Sequence, residues 1–163
     1  MADAKFINAP NNLRSAKKGS GRAKLDLKVL ERAEKVVEKI QAEYSDWAEE
    51  DLVALDGVLK ELKSGNADQQ GPLKALYRLS LDMKGQGGSF GYRMMSEVAG
   101  RLNDFIAKRH ALSALDIEVV EAHIAALHAL YRQNVRDDGG KMGTALLIGL
   151  DKIVEKANAR GQL

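Results

Sequence analysis

Lys84 is followed by four glycines within seven positions, Gly85, Gly87, Gly88 and Gly91. A lysine beside a glycine-rich run is material for phosphate binding, so this chemistry is considered first. A nucleotide P-loop places its lysine after the glycines, whereas here Lys84 precedes them; a dinucleotide fingerprint needs a strand before it and a helix after it. The cluster instead lies between two helical patterns, and both readings fail on context. The titratable alternatives are His110, His123 and His128. His110 follows "AKR" near a helix end, where a cation is favoured by the helix dipole. His123 and His128 stand five residues apart, about 140° around a helix, and do not make one two-ligand face. Both flank an apolar stripe, the usual place for a structural histidine. The acidic run "DWAEEDLVALD" (46–56) spreads its carboxylates over several faces of one helix and reads as a solvated surface. No metal site and no cofactor is expected.

The elements that must position these residues are helical. The 163 residues hold no cysteine, two prolines and few aromatics, which excludes disulfide frameworks and thiolate metal sites and favours helices. The longest apolar run, "TALLIGL" (144–150), is far short of the roughly 20 residues a membrane span needs. No secretory-type apolar core opens the chain, so a soluble cytoplasmic protein with no membrane partner is expected. The net charge of +2 is unevenly placed. Residues 1–24 carry Lys5, Arg14, Lys17, Lys18, Arg22 and Lys24 against Asp3 alone, and read as a disordered basic tail. Without interleaved aromatics, that tail argues for a solubilising leader rather than a nucleic-acid partner.

Residues 25–163 then form one helical domain of six expected segments. Val29, Ala33, Val36, Val37, Ile40 and Tyr44 make the stripe of the first, from Leu25 to Tyr44. Asp46 with Glu49 forms a capping-box pattern for a second, whose stripe is Leu52, Leu55, Val58, Leu59 and Leu62. The third runs from about Pro72 to Gly85, and the fourth from about Ser89 to Lys108 through Met95, Val98, Leu102, Phe105 and Ile106. Ser113 with Asp116 starts the fifth, with Ile117, Val120, Ile124, Leu127 and Tyr131 inward. After a loop at 136–143, the sixth packs through Leu146, Leu147, Leu150, Ile153, Val154 and Ala157, with Gly161 as its stop. No alternating strand pattern occurs. The expected fold is all-α, an antiparallel helical bundle.

On a wheel of the third segment, Leu73, Leu76, Leu79, Ser80 and Met83 share the core side. Leu81 falls about 140° from the centre of that side. It is expected on the surface, among Lys74, Tyr77, Arg78, Lys84 and Gly85. The stretch "LYRLSLDMKGQGGSFGY" (76–92) resembles the signature of histidine-containing phosphotransfer domains. That signature is a small residue, the phospho-accepting histidine, any residue, an apolar residue, Lys-Gly, small residues and a later glycine. Ser80, Met83, Lys84, Gly85 and Gly91 match it, Gln86 to Ser89 supply the small stretch, and the acceptor position is Leu81.

The resemblance implies a four-helix bundle core with additional helices, in a protein of bacterial two-component signalling. It implies that a response-regulator receiver domain, or a histidine kinase, docks on Lys74, Tyr77, Arg78, Leu81, Lys84, Gly85, Gly88 and Gly91. In such a domain an imidazole nitrogen accepts phosphate, because its pKa near neutrality leaves a lone pair available. Lysine attracts the phosphoryl group and glycine admits the partner's active site. Leucine has no lone pair and cannot carry phosphate. The expectation is therefore a receiver-binding protein without catalysis. Two alternatives stay open: an active phosphotransfer protein using another histidine or carrying histidine at 81, and a helical adaptor unrelated to phosphorelay.

Overall fold

The computed structural model describes residues 27–65 and 68–160, with the side chains of Leu27 and of residues 40–46 excepted. The basic tail at 1–24 and the stop at Gly161 lie outside the described residues. Contacts divide the chain after Val36, and each part is taken by itself. Among the described residues the fold is all-α, with five helices and no strand: α1 (Leu27–Lys63), α2 (Gln70–Ser89), α3 (Arg93–Ile106), α4 (Ala114–Arg132) and α5 (Gly140–Arg160).

The part beginning at Val37 is a helical bundle. Ion pairs and hydrogen bonds set the direction of α1 against α4. Lys63 meets Glu121, Asp56 meets His128 and Glu49 meets Tyr131, so one chain number rises as the other falls and the helices run antiparallel. Ser80 meets Asn103 and Lys84 meets Ser96, which makes α2 and α3 antiparallel too. Arg101 meets Asp151 and Arg109 meets Asn158, so α5 runs parallel to α3. The core between them takes Leu52, Leu55, Leu76, Met95, Leu102 and Leu127, all nearly free of solvent contact. These are the apolar stripes read from the sequence, and their burial is what offsets the chain entropy lost in folding.

Three expectations are corrected. The helix break at Asp46 does not exist: α1 runs unbroken through residues 44–46. A cap-like pair such as Asp46 and Glu49 starts a helix only when the chain arrives from outside one, and here good helix formers precede it. The stripe at Val29, Ala33, Val36 and Val37 is exposed rather than buried. Finally, the glycines after Lys84 are not a turn. α2 continues through Gly85, Gly87 and Gly88 to Ser89, and only Phe90, Gly91 and Tyr92 link it to α3. Gly91 has φ +82°, a conformation costly for residues with a Cβ.

The remaining shifts are at boundaries. α3 begins at Arg93 rather than Ser89 and ends at Ile106, α5 starts at Gly140 inside the expected loop, and Ile153 is exposed. The Ser113 start is as read. Its hydroxyl accepts from the Asp116 amide at 3.2 Å while the Asp116 carboxylate accepts from the Ser113 amide at 2.9 Å. Burial alone would raise the Asp116 pKa, but these Ser113 bonds and Arg109 at 2.9 Å hold it below its ordinary value.

Candidate functional site

The continuation of α2 through its glycines decides the geometry of the candidate site. At 100° per residue, Lys74, Tyr77, Arg78, Lys84, Gly85 and Gly88 all fall within about 60° of Leu81 on one helix. Each is exposed, Leu81 to 45% of its full surface. Gly91 alone of the expected set leaves this face, because it sits in the turn. Below Leu81 two positions of this face, Gly85 and Gly88, bear no side chain. A Cβ at Gly85 would meet nothing within 4 Å, and one at Gly88 only the Ser96 hydroxyl at 3.7 Å. The opposite side of α2 holds the expected core set of Leu73, Leu76, Leu79, Ser80 and Met83, all buried.

Both flanks of the face carry charge of both signs. On the α3 side, the Lys84 stem lies along Gly100, where a Cβ would stand only 3.4 Å from it. Its ammonium reaches Asp104 at 3.4 Å, an exposed and long pair that contributes little and leaves the charge available to a partner. On the α1 side stands Asp51. Its carboxyl is held above the ordinary carboxylate range, chiefly by burial and then by the charge of Asp82, with Arg78 opposing. Each flank of the leucine and glycine strip therefore carries a cation beside a carboxylate.

Beneath the face is a polar contact that the sequence did not announce. Asn103 of α3 is buried and donates to the Tyr77 carbonyl at 3.0 Å and to the Ser80 hydroxyl at 3.1 Å. Ser80 in turn donates to the same carbonyl at 3.0 Å. Every donor has an acceptor, so the helix turn bearing Tyr77 and Leu81 is fixed to α3. The signal was an asparagine inside an otherwise apolar stripe, between Leu102 and Phe105. At the start of the helix, a cleft of about 650 Å³ lined by Gln70, Lys74, Tyr77, Arg109 and His110 adjoins the face.

Chemically, the face offers attraction and shape but no nucleophile at its centre. The histidines are placed elsewhere. His123 is fully buried, where its Nδ1–H donates to the Val119 carbonyl at 2.8 Å and Nε2 has no partner. Burial lowers its pKa, keeping the ring neutral. His128 lies 3.0 Å from both carboxylate oxygens of Asp56, as an α1–α4 tie. His110 is exposed beyond the end of α3. Among the described residues no group of three potential metal ligands gathers, and no helix is long and apolar enough to cross a membrane.

Fold and site together define a helical bundle carrying one flat, mixed-charge face on α2. No protein-family profile matches the chain, no curated protein matches it in sequence, and no solved structure matches it.

Proposed function

We propose that this protein is a phosphotransfer-like binding module of bacterial two-component signalling, acting in the cytoplasm. The Leu81 face of α2 docks a response-regulator receiver domain, or the receiver-like partner surface of a histidine kinase, and carries no phosphate. It competes with true phosphotransfer partners for that surface. The observation that carries the reading is the exposed Leu81 at the centre of the Lys74, Tyr77, Arg78 and Lys84 ring, above side-chain-free Gly85 and Gly88. An apolar centre with a charged rim is how a docking surface gains both affinity and orientation. Bare glycine lets a partner approach the helix backbone closely.

Titration with purified receiver domains tests this. Gly85→Arg, which fills open space on the face without disturbing the core, is expected to weaken binding at least tenfold, about 1.4 kcal/mol. A charge change at exposed Glu155 on α5 is expected to leave binding intact. Equal losses from both overturn the assignment of the face. Leu81→His is expected to take acid-labile phosphate from a phosphorylated receiver while the natural chain does not. Stable phosphorylation of the natural chain on His110, His123 or His128 sinks the non-carrying reading.

A further inference from the structure

The cleft of about 650 Å³ at the start of α2 has walls that are fixed in place. Gln70 donates to the His110 carbonyl at 2.8 Å, and the Gln69 side chain makes two bonds with the Leu112 backbone, at 2.6 and 3.1 Å. Arg109 is stacked over the Phe105 ring at 3.4 Å and donates to Asp116, to Asn158 and to the Phe105 carbonyl. The cleft is therefore formed before any ligand arrives, which spares a ligand the cost of ordering it. Its volume lies within the ordinary range of small-molecule sites.

The polar groups at its edge are, by contrast, unused. The Lys74 ammonium, the Tyr77 phenol and the His110 ring make no hydrogen bond or ion pair among the described residues. All three residues are exposed. No carboxylate lines the cleft. Asp116 is engaged by Arg109 at 2.9 Å and Asp68 by the Gln70 amide at 3.0 Å. Asp116 thus answers the charge of Arg109, and the unmatched cation is Lys74, with the phenol and the imidazole as further donors beside the same cleft. Leu73 and Ile106, both buried, form the apolar part of the lining, and Tyr77, 40% exposed, adds an aromatic ring.

We infer that this cleft binds a small organic anion, a phosphate or carboxylate group carried on an apolar or aromatic body. Lys74, His110 and Tyr77, whose donors find no acceptor within the protein, hold the oxyanion. The body lies on Leu73, Ile106 and the Tyr77 ring. Charge selects an anion over a neutral molecule, and the apolar lining selects an organic anion over a bare inorganic one. Lys74 and Tyr77 also border the Leu81 face, but the site is tested on the chain alone and does not depend on docking there.

Calorimetric titration of the full chain, with amide NMR shifts to locate the ligand, tests the site. Phenyl phosphate or benzoate is expected to bind saturably, and their relative affinity tells phosphate from carboxylate. The amides of Gly71, Lys74, Ala107 and His110 are expected to move, and those around Lys152 on α5 to stay in place. Inorganic phosphate and benzyl alcohol are each expected to bind at least tenfold more weakly. Lys74→Glu is expected to weaken binding at least tenfold and His110→Ala several-fold, while Lys152→Glu, the same charge change on α5, leaves it intact. These three positions are exposed, so thermal unfolding serves as the control and is expected to stay unchanged. Absence of saturable binding by both aromatic anions overturns the inference, as do equal losses from Lys74→Glu and Lys152→Glu, which would show a diffuse charge effect. Benzyl alcohol binding as tightly as the anions overturns the role of charge, and inorganic phosphate doing so overturns the apolar body.

Discussion

α2 with α3 and α4 with α5 are both helix pairs joined by short links, yet they are held together differently. The α2–α3 contact is the most extensive among α2 to α5, and its buried polar groups are fully partnered through Asn103, Ser80 and the Tyr77 carbonyl. Gly87 brings the backbones together, since a Cβ there would lie 3.0 Å from the Ser96 amide nitrogen. On the other side, α5 buries only Gly143, Leu150 and Ala157. It is tied at its rim to α3 by Arg101 to Asp151 at 3.0 Å, and to the segment after α3 by Arg109 to Asn158 at 2.8 Å. His123 of α4 is buried with Nε2 unsatisfied. The difference teaches where this molecule keeps its precision. The helix that carries the proposed docking face is fixed by close packing and complete hydrogen bonding, while the outer helix is held by a few apolar anchors and exposed pairs.

The comparison breaks most visibly by cavity formation. Leu102→Ala in α3 is expected to cost about 2–5 kcal/mol in urea unfolding, whereas Ile148→Ala on the exposed side of α5 is expected to stay within about 0.5 kcal/mol. Similar costs at the two positions would show α5 to be packed as tightly as α3. A second contrast uses one substitution in two helices. Gly87→Ala is expected to destabilise by about 1–3 kcal/mol, because the methyl group meets backbone that cannot move aside. Gly149→Ala in α5, where a Cβ meets nothing within 4 Å, is expected to stabilise by about 0.5–1 kcal/mol through helix propensity. Thermal melts of the two variants, shifting in opposite directions, would sharpen the contrast; a rise in both would refute the close approach at Gly87.

The smallest effect is a pH dependence at His123. Burial lowers its folded pKa, while the unfolded chain binds the proton near the ordinary value of about 6.5. Above that pH both states are neutral and the full stability is present. As pH falls below it, the unfolded state gains a proton that the folded state resists, so stability declines until the folded pKa is passed. Unfolding free energies measured from pH 8 to 5 are expected to fall more steeply for the natural chain than for His123→Leu. Parallel profiles would mean that the ring is protonated as readily folded as unfolded.

The sequence made the bundle and the exposed position of Leu81 legible because both follow from helical periodicity. The stripes through Leu55, Leu76, Val98 and Leu127 needed no knowledge of their partners, and the Ser113 start is a local signal with a local cause. What was not legible depends on contacts between segments. The glycines of α2 each weaken a helix by about 1 kcal/mol relative to alanine, and reading them as a turn respects that penalty. The structure keeps them helical because Gly87 is buried on α3, with the Tyr92 amide returning to its carbonyl at 2.8 Å. In the same way Asn103 shows its role only when Tyr77 and Ser80 arrive beside it. The pairing of Lys84 with Asp104 spans twenty positions, which periodicity does not reveal. The Val29 stripe is apolar by pattern yet exposed, since a wheel shows that a face is apolar without showing what covers it.

The turn of Phe90, Gly91 and Tyr92 also bears on the order in which the chain folds. It joins the two helices with the most extensive mutual contact by a very short loop, and short loops close with little loss of chain entropy. The α2–α3 hairpin is therefore expected to form early, with φ-values near one half or above at Leu76 and Leu102. Variants at the α5 anchors Leu150 and Ala157 are expected to speed unfolding while leaving the refolding rate nearly unchanged. On this account α2, with its proposed docking face, is among the first parts of the molecule to become native and the last to be lost.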